Sequence, residues 1–439
     1  MKTKIILIIT LISFSFSGVS QKKWTLRTSV DYALEHNITI KQNALNVSLS
    51  KENVIQAKGN FLPNLNASTN PGMNFGSSIG QSGSRISTDN FRAGFSLNSN
   101  ATVFNGFRNL NTYKQSKLGV TSSELELKKI QDDISLNVVN AYLNILFAKE
   151  NLNVAKVQYE ISKKQIERAK NQVDAGVKPK GELLNVESTA ATDAQNVVAQ
   201  ENTLDLAFLT LAQLLQVSPD NFDVEAMDVG SPSIATLYND SDVVYKKAVN
   251  NRPEIIKAQI GVESSNLGID IAKGSYLPSL TFSAGVGSSY QHAFSFSNLY
   301  FFKQVKDNLG YNFGFSLNIP IFNRFQTKSA VSKSIINLEI SEINLESEKL
   351  RLKATIERVF LDAKAASKTY EAALKSLTSQ REAFKNAQER YNFGAMTLFD
   401  FDQVRNRLVN AESSLIRAKY DYVFKSKVLK FYYGESIFD

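Results

Sequence analysis

One stretch limits the fold more than any other. From Val331 to Tyr391 the apolar residues recur every seven positions. One series runs Val331, Leu338, Leu345, Leu352, Val359, Ala366, Ala373 and Ala387, broken only at Gln380. The second runs Ile335, Ile356, Ala363, Tyr370, Leu377, Phe384 and Tyr391, with Glu342 and Lys349 as exceptions. Two interleaved series at 3/4 spacing give the seam of a coiled-coil helix. At about 1.5 Å per residue this helix is about 90–100 Å long, too long for a compact domain. It stops at Gly394, a helix C-cap position that takes positive φ. Thr397-Leu398-Phe399-Asp400 then opens another helix in the manner of a capping box.

The same stretch occurs earlier in the chain. Subtracting 218 (394 − 176) puts Gly394 on Gly176, Tyr391 on Val173, Phe384 on Ile166 and Tyr370 on Leu152. The earlier seams are Leu127, Ile134, Ala141, Ala148, Ala155, Ala169 and Val138, Ile145, Leu152, Tyr159, Ile166, Val173. Half the chain is therefore a duplicate of the other half.

The chain in order reads as follows. Residues 1–20 have the pattern of a secretory signal: Lys2 and Lys4, an apolar run from Ile5 to Phe16, and small residues before Gln21. The first repeat, 21–217, has a helix from Trp24 to Lys58, a β-hairpin at about 63–104, a long helix at about 106–175 and a return helix at about 179–217. Residues 218–240, with Pro219, Gly230 and Pro232, form a linker with a small side element. The second repeat, 241–433, has a helix from Val243 to Lys273, a hairpin at about 278–322, a long helix at about 324–393 and a return helix at about 397–433. A tail, 434–439, closes the chain.

The hairpins show period two. Phe91, Ala93, Phe95 and Leu97 alternate with Arg92, Gly94, Ser96 and Asn98; Leu280, Phe282, Ala284 and Val286 alternate with Thr281, Ser283, Gly285 and Gly287. Tyr311, Phe313, Phe315 and Leu317 continue the pattern, while the strand at about Leu65 to Phe75 is weaker. Ser77–Asp89 and about Ser288–Asn308 read as loops. Such strands suit a soluble sheet with one wet face. They also suit an outer-membrane barrel with an apolar face on lipid and a polar face on a lumen. Strands of about 9–11 residues span a bilayer, and an exported chain whose long helices cannot fold back over the strands favours the barrel.

Several classes are excluded. Cysteine is absent, so there are no disulfides, thiolate metal sites or cysteine nucleophiles. The formal charge of +8 falls to +6 (8 − 2) without Lys2 and Lys4 and is spread along the chain, which argues against nucleic acid. The two histidines, His36 and His292, lie far apart in the repeat, and four methionines make no thioether cluster. No catalytic triad, phosphate loop or carboxylate pair stands out. The reading is a chain without catalytic residues, metal or cofactor.

Over its whole mature length the chain resembles the TolC-type outer-membrane efflux proteins. The matching features are Ala57-Lys58-Gly59-Asn60-Phe61-Leu62-Pro63 and Ala272-Lys273-Gly274-Ser275-Tyr276-Leu277-Pro278 before each hairpin, the Phe104-Asn105-Gly106 and Phe322-Asn323-Arg324 exits, and the duplicated long helices. The tip pattern, Tyr391-x-x-Gly394 followed at +6 by Asp400, also matches. The resemblance implies a mainly α fold with a small transmembrane β part. It implies a homotrimer in which long antiparallel helices form a periplasmic α-barrel and four strands per chain enter one shared β-barrel. Four strands cannot close a barrel alone, eight leave an interior filled by side chains, and twelve are the first count with room for a channel.

The function implied is a passive exit duct in the outer membrane of a Gram-negative bacterium, extending into the periplasm. Its partners are outer-membrane lipid, a periplasmic adaptor and an inner-membrane pump of RND or ABC type, in tripartite efflux or type I secretion. The alternative is a periplasmic coiled-coil scaffold or adhesion protein with soluble hairpins. Asp400, and Glu182 six after Gly176, read locally as helix-start carboxylates. By the resemblance Asp400 belongs to an acidic ring at the periplasmic entrance, Gln403 stands where a second acid is expected, and Tyr391 and Glu182 match links that hold the entrance closed. Met396 replaces an expected arginine. Asp402, about 200° round the helix from Asp400, faces elsewhere. Gly176 and Gly394 match the tips that meet the adaptor.

Overall fold

The computed structural model describes residues 23–219, 222–227, 238, 240–294 and 297–436. The signal segment, most of the second half of the linker and the last three residues of the tail lie outside the described residues. Two compact units are present. One comprises the chain up to Gln42, Leu127–Pro253 and the chain from Lys349; the other comprises Asn43–Glu126 and Glu254–Glu348.

The first unit is helical. Its long helices are α3 (Arg108–Asp174) and α8 (Gln326–Asn392), each of 67 residues and shared with the second unit, and the return helices are α4 (Lys180–Leu215) and α9 (Leu398–Tyr433). The heptad series bury along part of their length: Ala141, Ile145, Ala148 and Ala155 on α3, and Ile356, Ala363, Ala366 and Tyr370 on α8, whereas Ile335, near the start of the α8 series, is exposed. α3 buries a further stripe, Val139, Tyr142, Leu143 and Leu146. This stripe packs on Leu26, Val30 and Ala33 of α1 (Leu26–His36) and on Phe222 and Val224. Tyr142 donates from its hydroxyl to the Trp24 and Glu225 carbonyls at 3.0 and 2.7 Å, and a parallel bridge joins Trp24 to Val224. The expected side element of the linker is thus a short strand-like segment stapled onto α3.

The helix expected from Trp24 to Lys58 is two helices, α1 and α2 (Ile38–Gly59), parted at Asn37. Its twin is likewise two, α5 (Ser241–Asn251) and α6 (Pro253–Lys273), parted at Arg252, the same offset of 215 (252 − 37). In the second case the cause is Pro253, which pushes the preceding residue out of the helical region. In the first, the Asn37 side chain accepts from Thr39 N at 2.9 Å and starts the next helix.

The second unit carries an antiparallel four-stranded sheet, order β1-β4-β5-β6: β1 (Asn66–Asn74), β4 (Asn90–Phe104), β5 (Ser279–Ala293) and β6 (Gly310–Asn318). Each repeat supplies one hairpin, and β4 pairs with β5 to join them. The central strands have 15 residues and the edge strands 9. The loop expected at Ser77–Asp89 holds a small ribbon, β2 (Ser77–Ile79) with β3 (Arg85–Ser87). The loop expected from Ser288 is strand as far as Ala293, because β4 partners it to Asn90, and then short helix α7 (Phe301–Asp307). β6 leaves off opposite Gly287, so the outward backbone of β5 past that point needs other partners. Asn308 donates to the Ser289 carbonyl, Gln304 binds both N–H and C=O of Gln291, and Asn298 does the same for Ala293. Three amide side chains replace a strand.

Candidate functional site

Both tips of the helical hairpins end in the same way. Gly176 and Gly394 each have φ of +72°. Gly176 N bonds the Val173 carbonyl and Val177 N bonds that of Gln172; Gly394 N bonds Tyr391 and Ala395 N bonds Arg390. These are paired αL caps that reverse the chain after 67 residues of helix, a turn that a Cβ would strain.

Past the second tip, Thr397 is the N-cap of α9. Its Oγ1 accepts from Asp400 N at 3.1 Å and donates to Asp400 Oδ2 at 2.7 Å. Past the first tip, Pro179 offers no side-chain cap to α4, and Glu182 pairs instead with Lys178 Nζ at 2.9 Å. The two carboxylates are brought together: Glu182, Asp400 and Gln403 line one polar cleft of about 750 Å³, with Lys178, Arg390, Met396 and Arg407. Arg407 donates to Gln403 Oε1 at 3.3 Å. Three cations therefore share the cleft with two carboxylates, a balance that the Asp400 and Gln403 spacing does not reveal. Arg407, seven residues after Asp400 and so on the same helix face, was the available signal.

Tyr391 lies beside the cleft. Its ring stacks on Phe401 at 4.8 Å, and the Arg168 guanidinium stands 5.6 Å from its centroid. Burial raises its hydroxyl above the ordinary tyrosine range, and the Glu182 carboxylate adds to this against Lys178 and Arg168. Arg168 also donates to Asn392 Oδ1 at 2.5 Å, tying α3 to the end of α8.

A polar cluster that the sequence reading missed sits deeper. Arg405 is 1% exposed. It donates to Ser162 Oγ at 2.6 Å, and lies 3.4 Å from Asp193 Oδ2 and 3.6 Å from Asp402 Oδ1. Ser162 in turn donates to Asp193. Asp402 does turn away from Asp400, as its angle requires, and turns inward to this cluster. Burial holds its carboxyl above the usual aspartate range, against the pull of Arg405, with Asp193 adding repulsion. The signal was in the heptads: Gln380 breaks the Val331 series, and 380 − 218 is 162, where Ser162 breaks the matching series of the first repeat.

The model for the family "Outer membrane efflux protein" matches residues 30–216 and again 244–435, passing over the linker. The chain belongs to the outer membrane efflux protein family. It is a channel of the outer membrane that reaches into the periplasm, and its work is transport, not catalysis. Outer membrane efflux protein BepC of Brucella suis biovar 1 is 19% identical over 416 residues, 94% of this chain and 86% of BepC. Outer membrane protein TolC of Escherichia coli K12 is 23% identical over 261 residues, 56% of this chain, so the match spans about half of TolC's length, 52%. Among solved structures, the CmeC outer membrane channel of Campylobacter jejuni superposes with a TM-score of 0.76 at 20% identity, covering 93% of this chain and 85% of CmeC. The outer membrane protein VceC of Vibrio cholerae gives 0.78 at 16%, covering 94% and 96%. The expected fold, mainly helical with a four-stranded sheet, is the fold of these channels.

For this efflux-family chain the expected site residues thus fall in two groups. Glu182, Asp400, Gln403, Gly394 and Met396 border one cleft, with Tyr391 against its wall. Gly176 caps the other tip.

Proposed function

We propose that three copies assemble into one exit duct, with twelve strands in the outer membrane and the long helices in the periplasm. The observation that carries this is the sheet. Its apolar row is bare: Tyr311, Phe313, Phe315 and Leu317 of β6 are exposed, Phe313 by 82%. Its outer strands β1 and β6 each leave one backbone edge unpaired. Lipid suits the bare row but not the open edges, because every backbone group there needs a partner. Edge-to-edge addition of identical sheets supplies those partners and leaves the apolar row facing lipid. On this reading residues 21–217 and 241–433 act as two repeats of one lining, the tips at Gly176 and Gly394 meet a periplasmic adaptor, and an inner-membrane pump of RND or ABC type supplies energy and most of the substrate choice. Asp400 lines the entrance, with Glu182 and Tyr391 in the links that close it.

The test is planar-bilayer conductance of the detergent-purified protein, with its mass from light scattering. Three chains per particle and a steady current are expected. A conducting monomer, or recovery of the mature protein in the soluble periplasm without detergent, overturns the reading.

A further inference from the structure

The polar face of the sheet is almost free of charge, and the exception stands at one end. Register puts residues of even number in β1, in β4 as far as Thr102 and in β6, and of odd number in β5, on this face. Its rows are Asn98–Gly285–Asn312, Ser68–Ser96–Gly287–Gly310, and Asn100–Ser283–Gly314, all amide, hydroxyl or hydrogen. The only ionisable side chain on this face among the described strands is Arg92, paired between Gly72 and Gln291. It lies two residues from the loop end of β4, opposite the end that leads into α3. A Cβ added at Gly72 or at Gly94, its neighbour along the strand, meets nothing within 4 Å, so the guanidinium has open space around it. The charged residues that flank Arg92 and its partner strands along the chain lie outside the four strands. Asp89 accepts from Gly76 N at 2.7 Å, Arg85 is in the β3 ribbon, and Lys303, Lys306 and Asp307 are on α7, whose Phe301 packs against Phe95 on the apolar side. The twin of Arg92 in the second repeat, by the offset that carries Phe91 to Tyr311, is Asn312.

We propose that Arg92 is a selectivity-determining residue at the outer mouth, forming with its copies a three-cation ring that favours solutes bearing carboxylate, phosphate or sulfonate groups. This rests on the three-chain duct proposed above. Since every copy brings the same strands, no copy brings a carboxylate to this face to neutralise the ring. Like charges held together in a narrow, low-dielectric mouth raise the local concentration of counter-ions.

The experiment uses the full-length protein in planar bilayers at low salt, with tripolyphosphate added to one side at a time. Wild type is expected to be blocked from the loop side at a concentration about tenfold or more below that needed for Arg92→Gln. Arg92→Lys should keep the block, and Arg92→Glu should abolish it and shift the reversal potential toward cation selectivity. Equal block of wild type and Arg92→Gln, in channels that both conduct, overturns the ring and leaves the duct standing. A wild-type protein that forms no pore removes the duct and the ring together.

Discussion

Where the first helical hairpin buries Ser162 beside a part-buried Asp193, the second places Gln380 and Ala411, the latter packed with Leu377 and Leu408. The two hairpins share length, caps and register, yet where this polar layer of the first presents a carboxylate the second presents Ala411. The charge that satisfies the polar layer comes from the other repeat, because Arg405 is on α9. A second contrast lies along α3 and α8. Val139, Tyr142, Leu143 and Leu146 bury against α1 and the linker, while their twins are Glu357, Phe360, Leu361 and Lys364. Duplication has kept the backbone where the chain must reverse and let the side chains diverge where each repeat meets a different neighbour. The repeats are no longer interchangeable, and Arg405 fixes the register of α9 against α3 and α4: a slip of one heptad along α9 would carry Asp402 with it but leave Ser162 and Asp193 without their cation.

The largest expected effect breaks that asymmetry. Arg405→Leu leaves Asp193 and Asp402 without their cation, and loss of one partner of a buried pair costs about 3–5 kcal/mol. Helical melting followed by circular dichroism should show it. Adding Asp193→Ala and Asp402→Leu, the residues of the opposite repeat, should recover most of the loss, since a well-packed apolar layer is often as stable as an ion pair. A single variant that melts like wild type would mean that the cluster does not tie the repeats.

A middle-sized effect is expected at the hairpin exits. Both leave the sheet through two successive residues of positive φ: Gly106 and Phe107 at +70° and +63°, Arg324 and Phe325 at +52° and +61°. The geometry is shared and the residue is not. A Cβ at Gly106 would stand 2.2 Å from the Gly274 carbonyl oxygen. Gly106→Ala should therefore cost about 1–3 kcal/mol or more. Arg324→Gly removes a left-handed penalty of about 1–2 kcal/mol against about 0.5–1 kcal/mol of glycine entropy, so a small gain is expected. Melting curves that move the same way for both variants would contradict a common exit.

Much of this was open to reading in the chain. The heptad series, the 218 offset and the tip glycines are local patterns, and they predict burial, duplication and caps because helix period and backbone sterics leave little choice. The break at Arg252 was signalled by Pro253, whereas Asn37 alone is compatible with a helix interior. The extension of β5 to Ala293 depends on β4, a strand nearly two hundred residues earlier in the chain, and the amides of Asn298, Gln304 and Asn308 matter only once β6 stops short. Arg405, between Phe401 and Leu408, carries no local sign of burial, since Ser162 and Asp193 come from helices of the other repeat.

The smallest effect bears on the paired carboxylates at the tips, where cap and gate give different answers. Asp400 is hydrogen-bonded to its own N-cap, while Glu182 is paired with Lys178. Asp400→Asn keeps an acceptor for the Thr397 hydroxyl and loses the charge at the start of α9, so about 0.3–1 kcal/mol of stability should go. If Asp400 also lines the entrance, cation selectivity should fall as well, because the copies hold like carboxylates together there. Glu182→Gln should change selectivity less, since Lys178 already offsets its charge. Gln403→Asp adds an acid beside Arg407, which is 3.3 Å from the Gln403 amide oxygen, so its gain in cation selectivity should be smaller than the loss from Asp400→Asn. Reversal potentials under a salt gradient rank the three variants. If Asp400→Asn melts earlier but selects ions as wild type does, Asp400 is a helix cap and the entrance ring has no member at that position.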